Sequence, residues 1–283
     1  MQSLKENEVK DKLYKPDLHS KSGRELLAFY LQTKFKQILL YDQKQETPVI
    51  NGISGNFVPR FSKRIIAAPN KKLLIGITGE SASGKSTICR EIESVIGHLN
   101  MPVTVLSTDN YFNDISDLIK KYGSFDNLRD SGYDVDAPSN FQMEILRRDL
   151  EKLAEGKDIK APQYLPNGTG VSVPESIYVP SQKIIVVEGI ATMYEEIQDV
   201  FDIKIYVETE NELRKSRFVT RAVKERNQSL DNALKHWQYI TDAGEKYVKP
   251  FRKEADLVLN GNSDLEYFSN ILEYIYNVTN DFQ

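Results

Sequence analysis

The segment that most constrains this chain is Gly79-Glu80-Ser81-Ala82-Ser83-Gly84-Lys85-Ser86, which fits GxxxxGK[ST] in full and is followed by Thr87. An apolar run, 73–78, precedes it, and a helix-patterned stretch, 85–98, follows. Glycines let the backbone curl tightly with its N–H groups pointing inward, and the helix N-terminus behind them carries partial positive charge. Such a turn between strand and helix cradles phosphate. Lys85 is placed to neutralise β/γ-phosphate charge and the Ser86 hydroxyl to ligate Mg²⁺. A strand that runs through a turn into a helix also opens a βα unit, so the rest of the chain has to supply a sheet for it to join.

The downstream pattern does so. Runs rich in Val and Ile at 102–107, 183–187, 202–207 and 255–259 read as further strands. Their continuous apolar character fits a parallel sheet covered on both faces. Helical stretches at 85–98, 139–155, 209–226, 229–247 and 263–278 alternate with them. The fold class is therefore α/β, a doubly wound and mainly parallel sheet, in which ligands bind beyond the carboxyl ends of the strands. Ahead of it, residues 1–21 read as a polar lead. In 24–41, Leu26, Leu27, Tyr30, Leu31, Phe35, Ile38 and Leu39 recur at three- and four-residue steps, the mark of an amphipathic helix. Residues 42–70, with Pro48, Pro59, Pro69 and an Asn51-Gly52 turn signal, read as a connector. Two units follow: 1–70, a polar lead and helical extension, and 71–283, the domain built on the phosphate cradle.

Composition narrows the function. The 283 residues carry a formal net charge of −4, which offers no electrostatic footprint for a nucleic-acid partner. No apolar run reaches the length of a membrane span, and the lysine-rich start lacks the apolar stretch of a signal peptide. A cytoplasmic location is the expectation. The single cysteine, Cys89, falls in an apolar helical run and reads as a core residue, while His19, His98 and His236 are too scattered to suggest a metal cluster.

Two acidic residues end neighbouring strands. In Ile184-Ile185-Val186-Val187-Glu188-Gly189 the last side chain of the strand is a carboxylate able to hold Mg²⁺ directly or through water. Strand 102–107 runs into Thr108-Asp109-Asn110-Tyr111-Phe112, where Asp109 could accept the proton of a hydroxyl attacking a γ-phosphoryl group, or simply cap the next loop. No Asn-Lys-x-Asp or DxxG element of a switch GTPase occurs, nor an LSGGQ-like transporter signature.

The order of several blocks resembles the uridine kinase and phosphoribulokinase family of P-loop kinases. They are 79–87, 106–112, the run Asp134-Val135-Asp136-Ala137-Pro138 with Phe141, the run Ala161-Pro162-Gln163-Tyr164, 187–190, 214–230, and Val248-Lys249-Pro250 leading into 255–258. The match covers about 72–262. The resemblance implies ATP and Mg²⁺ as cofactors, with Mg²⁺ at Ser86, Asp109 and Glu188, and a small-molecule acceptor, foremost a nucleoside. It implies that Lys85, Asp109, Arg217 and Arg221 are catalytic, Asp109 as the base. Phe112, Asp136, Tyr164 and Arg217 then contact the acceptor with Asp109, Asp136 gripping sugar hydroxyls and Tyr164 walling the base pocket. It also implies a β-rich flap near 159–180 and a lid near 214–228.

Helical geometry bears on the lid independently. At about 100° per residue, Arg214, Arg217, Arg221 and Lys224 share one stripe. Arg214 and Lys224 read as a solvated face and Arg217 and Arg221 as phosphate donors, because phosphoryl transfer needs donors on the equatorial oxygens. Arg226 can join them only if the helix ends first. The chain also departs from the family pattern. Ala222 stands where an Asp follows the lid arginine, Phe112 stands where Tyr is common, and 165–172 lacks the His and basic residues that read a pyrimidine. Pantothenate or a sugar phosphate stays as an alternative acceptor, and a nucleotide-binding regulator without chemistry as the alternative of another class. Retention of Asp109 beside Lys85, Ser86 and Glu188 disfavours the regulator. The sequence permits a homo-oligomer.

Overall fold

A computed structural model of the protein describes residues 17, 19–42, 49–68, 71–98, 102–165 and 168–263. Its centre is a six-stranded sheet in the order β1 (Ile50–Ile53), β8 (Leu257–Asn260), β7 (Ile203–Glu208), β2 (Leu73–Thr78), β6 (Ile184–Glu188), β3 (Val103–Ser107). All neighbours are parallel except β1, which runs antiparallel to β8 at the edge. Every residue of β2 is buried, so this strand has no solvent face and its sequence is apolar up to the last residue, Thr78. Each fully buried Leu, Ile or Val contributes about 1.5–3 kcal/mol, enough for β2 to anchor the sheet. Helices cover both faces: α3 (Lys85–His98) lies on one, and α6 (Met143–Ala154) packs Leu146, Leu150 and Leu153 on the other. The doubly wound α/β architecture expected from the strand pattern is the one observed. Cys89 is buried in this core, which pushes its thiol up to about 12.

The reading of 42–70 as a connector is corrected. This stretch holds β1 and the amphipathic helix α2 (Phe57–Ala67), with Phe57, Val58, Phe61 and Ile65 buried. Pro59 misled because it sits in the first turn, where a helix has no use for the missing N–H. Asn51-Gly52 lies inside β1, beside an irregularity in its register with β8. α2 also carries two cations into the sheet. Arg64 Nε donates to Asp202 Oδ1 at 2.6 Å, whose other oxygen takes the Leu74 N–H at 3.0 Å. Arg60 donates to the Asp256 carboxylate, which also accepts the Lys204 N–H at 2.8 Å. Buried carboxylates at the starts of β7 and β8 are thus neutralised from the N-terminal segment.

The expected helix at 24–41 is α1 (Lys21–Asp42), with Leu27 and Leu31 buried in the same cluster as Phe57 and Phe61. Two short helices between β3 and α6 escaped the periodicity reading: α4 (Ser116–Tyr122) and α5 (Phe125–Asp130). The 159–180 flap is an antiparallel hairpin of β4 (Ile159–Tyr164) and β5 (Ser172–Val179). α7 (Asn211–Arg226) and α8 (Leu230–Tyr247) pair through Phe218, Ala222, Ala233 and Trp237. Ala222 is small because it is buried in that seam. The helix expected at 263–278 lies outside the described residues. Among the described residues no helix is long and apolar enough to cross a membrane.

Candidate active site

The phosphate cradle forms where β2 gives way to α3. Gly79 adopts φ +151°, and a Cβ there would lie 2.4 Å from the Val207 carbonyl oxygen, so only glycine lets the loop leave β2 against β7. Lys85 Nζ donates to the carbonyls of Gly79 at 2.6 Å and Glu80 at 3.2 Å, so the lysine folds back over its own loop. Burial holds its ammonium below the usual pKa, against the opposing pull of Glu188 and Asp109. Ser86 and Thr87 open the helix at the cleft wall.

Arg214 is not on a solvated face. It is buried, its Nε donates to Ser81 O at 3.1 Å, its Nη1 pairs with Glu80 at 2.8 Å, and its guanidinium lies 5.4 Å from the Trp237 ring centre. Of the stripe, Arg214 faces the cradle, because Glu80 and Ser81 take its donors. Lys224 is exposed.

The acidic floor follows from strand order. β3 and β6 are parallel neighbours with Ser107 opposite Glu188, which brings both strand ends to one place. Ser107 Oγ donates to Glu188 Oε1 at 2.9 Å and accepts the Asp109 N–H at 3.3 Å. Gly189, at φ +135°, allows the approach: a Cβ there would lie 1.9 Å from Thr108 Oγ1. Asp109 opens onto the cleft, with protein close on its other sides. That enclosure, reinforced by Glu188 and opposed by Lys85 and Arg226, pushes its carboxyl up to about 6. Asp136 is also raised to about 6, by burial and then by Asp109 and Asp134. Several carboxylates thus face one lysine. Hydroxyl and carboxylate oxygens with surplus negative charge suit Mg²⁺, which binds through one or two carboxylates and completes its shell with water and phosphate. Among the described residues no group of three or more His, Cys, Asp or Glu side chains forms an all-protein metal cage.

The far wall of the cleft is aromatic. The Phe112 ring lies 4.2 Å from Phe141 and 5.4 Å from Tyr164, which the flap hairpin brings in at the end of β4. Asp136 is held by its own backbone, whose carbonyl accepts Tyr194 Oη at 2.8 Å. Its neighbour Asp134 accepts Tyr247 Oη at 2.7 Å and Lys246 Nζ at 3.1 Å, tying the turn to α8. The whole cleft encloses about 1820 Å³. Small-ligand pockets run to about 300–1,000 Å³, so there is room for two ligands side by side.

The lid arginines separate. Arg221 lines the cleft, whereas Arg217 donates to Asn262 Oδ1 at 3.1 Å and Gly261 O at 3.4 Å and is not among the lining residues. Arg226 does line the cleft. It does so as the last residue of α7, so the expectation that the helix would have to end before it is corrected. The helix stops immediately after, where Asn227 turns left-handed at φ +53° and the Gln228 N–H closes onto Ala222 O at 3.0 Å. Sequence reading missed Arg129 and His236. Both line the cleft, from α5 and α8, and neither belongs to a motif or a periodic stripe that could have marked it.

An open parallel sheet with a GxxxxGKS cradle on its central strand and acidic ends on the adjoining strands defines a P-loop phosphotransferase. Comparison with known proteins is more specific. The model of the "Phosphoribulokinase / Uridine kinase family" matches residues 74–266, and the chain belongs to that family. It is 33% identical to "Uridine kinase" of Chlamydia pneumoniae over 71% of this chain and 86% of that one. It is 30% identical to "Uridine-cytidine kinase A" of Dictyostelium discoideum over 71% of this chain, which spans only 38% of that longer protein. Among solved structures, one described as a fructose transport system kinase from Silicibacter sp. TM1040 matches with a TM-score of 0.55 at 19% identity. It covers 67% of this chain and 90% of its own, and it agrees in fold.

Proposed function

We propose that the protein transfers the γ-phosphoryl group of Mg-ATP to a hydroxyl of a nucleoside. The observation that carries this reading is the convergence of Lys85, Asp109, Asp136 and Glu188 on one cleft. The names of the uridine and uridine-cytidine kinases it resembles support the nucleoside. The backbone of 79–84 and Lys85 hold the β- and γ-phosphates. Ser86, Glu188 and Asp109 are the residues to hold Mg²⁺, which, when bound, neutralises phosphate charge. Asp136 grips vicinal sugar hydroxyls, since a carboxylate accepts two hydrogen bonds from a diol. Phe112 and Tyr164 wall the ring.

Asp109 takes the proton of the attacking hydroxyl as its oxygen bonds to the γ-phosphorus and the bond to the bridging oxygen of ADP breaks. Arg221, and Arg217 if α7 closes further, supply donors to the equatorial oxygens. Purified protein with Mg-ATP and a panel of uridine, cytidine, adenosine, their 2′-deoxy forms, pantothenate and ribulose 5-phosphate tests this. ADP should form together with a nucleoside monophosphate. Turnover of pantothenate or the sugar phosphate alone, with every nucleoside silent, overturns the nucleoside reading.

A further inference from the structure

We infer that Arg129 selects the acceptor by donating hydrogen bonds to the carbonyl oxygen of a planar ring, taking the place of the basic residues that the flap lacks. The inference rests on the nucleoside reading above and adds the residue that reads the base.

Arg129 is only 4% exposed and belongs to the cleft wall, yet none of Nε, Nη1 and Nη2 makes a hydrogen bond among the described residues. A guanidinium is always charged and carries five donors in a rigid fork, so leaving buried donors unmet is costly unless a ligand supplies oxygens. The charge itself is already matched. Asp126 lies 2.8 Å from Nη2, and Asn232 Nδ2 holds that carboxylate from its other oxygen at 2.8 Å. What remains is directional donor capacity with no net charge to cancel. A neutral carbonyl fits that better than a phosphate or carboxylate, which Asp126 would repel.

The surroundings fit a ring. Tyr239 lies 5.0 Å beneath the guanidinium, and Phe125, one turn earlier on α5, lines the small apolar recess that Phe112, Tyr133 and Tyr164 also line. A complementary acceptor is present too. Gln228 lines the cleft, its Oε1 buried and without a hydrogen-bond partner among the described residues, and it can take a ring N–H. His236, also lining the cleft, is held well below its usual pKa, to about 4, by burial and then by Arg129 and Arg226. It therefore adds no further charge near neutral pH. Donors on Arg129 with an acceptor on Gln228 match the C=O and N–H edge of an oxo-pyrimidine. The flap residues 165–172, which carry no His, Arg or Lys, supply no such set.

Initial rates of the full chain with uridine, 3-methyluridine and adenosine test this, in wild type and in Arg129→Lys, which keeps a cation for Asp126 but loses the fork. Arg129→Lys should lower kcat/KM for uridine by about 10- to 100-fold, mostly through KM, and leave adenosine and the KM for ATP within about twofold. In wild type, with no substitution to unsettle the fold, 3-methyluridine should be used far less well than uridine. A merely structural arginine would lower the melting temperature and depress all acceptors alike, and that result overturns the inference, as does unchanged uridine selectivity. Failure of every nucleoside in wild type sinks the nucleoside reading itself. Good uridine turnover that is indifferent to Arg129 sinks only this inference.

Discussion

The two halves of the cleft are built differently. The phosphate half is built on one continuous segment, Gly79 to Thr87, completed by two carboxylates at strand ends, Glu188 closing β6 and Asp109 two residues beyond β3. The acceptor half draws on four separate elements, with Phe112 from the turn after β3, Tyr164 from the hairpin, Arg129 from α5 and His236 from α8. Binding a phosphate needs a backbone shape that a short motif encodes, whereas reading a particular molecule needs side chains that only tertiary packing brings together. Reaction class is therefore written locally and substrate choice is not. Substitutions in the first half should affect every acceptor equally, and substitutions in the second should change their ranking.

The largest effect expected is at Asp109. Asp109→Asn should lower kcat by about 10²–10⁴-fold on every accepted substrate, with ATP still bound in a nucleotide-binding assay. A near-normal rate on the preferred acceptor would remove it from the role of base. Lys85→Ala should cost about 10²–10³-fold, again regardless of acceptor. If its loss changed the ranking of nucleosides, the division between the halves would fail.

Next in size is Arg64→Ala, which tests neither half. It leaves Asp202 buried without its cation and should cost about 3–5 kcal/mol in a chemical-denaturation curve while leaving acceptor preference unchanged. Asp136→Ala belongs to the acceptor half. It should lower the rate on ribonucleosides by about 10- to 100-fold and have little effect on 2′-deoxy forms, which have already lost one hydroxyl of the diol. Equal losses on both would show that Asp136 does not grip the diol.

The same contrast explains what the sequence made legible. β2 and β6 are apolar over all but their last residue, and β7 over most of its length, so their burial on both faces, and hence the parallel sheet, follows from composition. Glu188 and Asp109 were readable because they end such strands. Arg214 was misjudged because its partner, Glu80, is distant in sequence, and no local pattern reveals an ion pair that tertiary contact creates. β1 and α2 were hidden by Pro59 and Asn51-Gly52, which signal loops in isolation and are tolerated here in a first helical turn and at an irregular sheet edge. Arg129 lies in a helix of six residues, too short for periodicity to register.

The smallest effect expected concerns pH, and it separates activity from stability at the boundary between the halves. Asp109 and Asp136 are both raised to about 6 in the folded protein, against an ordinary value of 3.8, through loss of hydration and then repulsion, by Glu188 for Asp109 and by Asp109 and Asp134 for Asp136. As a base, Asp109 has to be ionised, so kcat/KM should rise about tenfold per pH unit on approach to about 6 and level off above it. Stability runs the other way. A carboxyl whose pKa is raised on folding favours the folded state while protonated, so its contribution is full below about 3.8 and is lost as pH rises through about 6. Without nucleotide, Asp109→Asn should therefore melt higher than wild type at about pH 7.5, and the difference should shrink as pH falls towards 5. Mg-ATP brings a cation to these carboxylates and should narrow the gap at pH 7.5. A difference between variant and wild type that stays constant from about pH 5 to 7.5 would mean that Asp109 is no harder to ionise in the fold than in water.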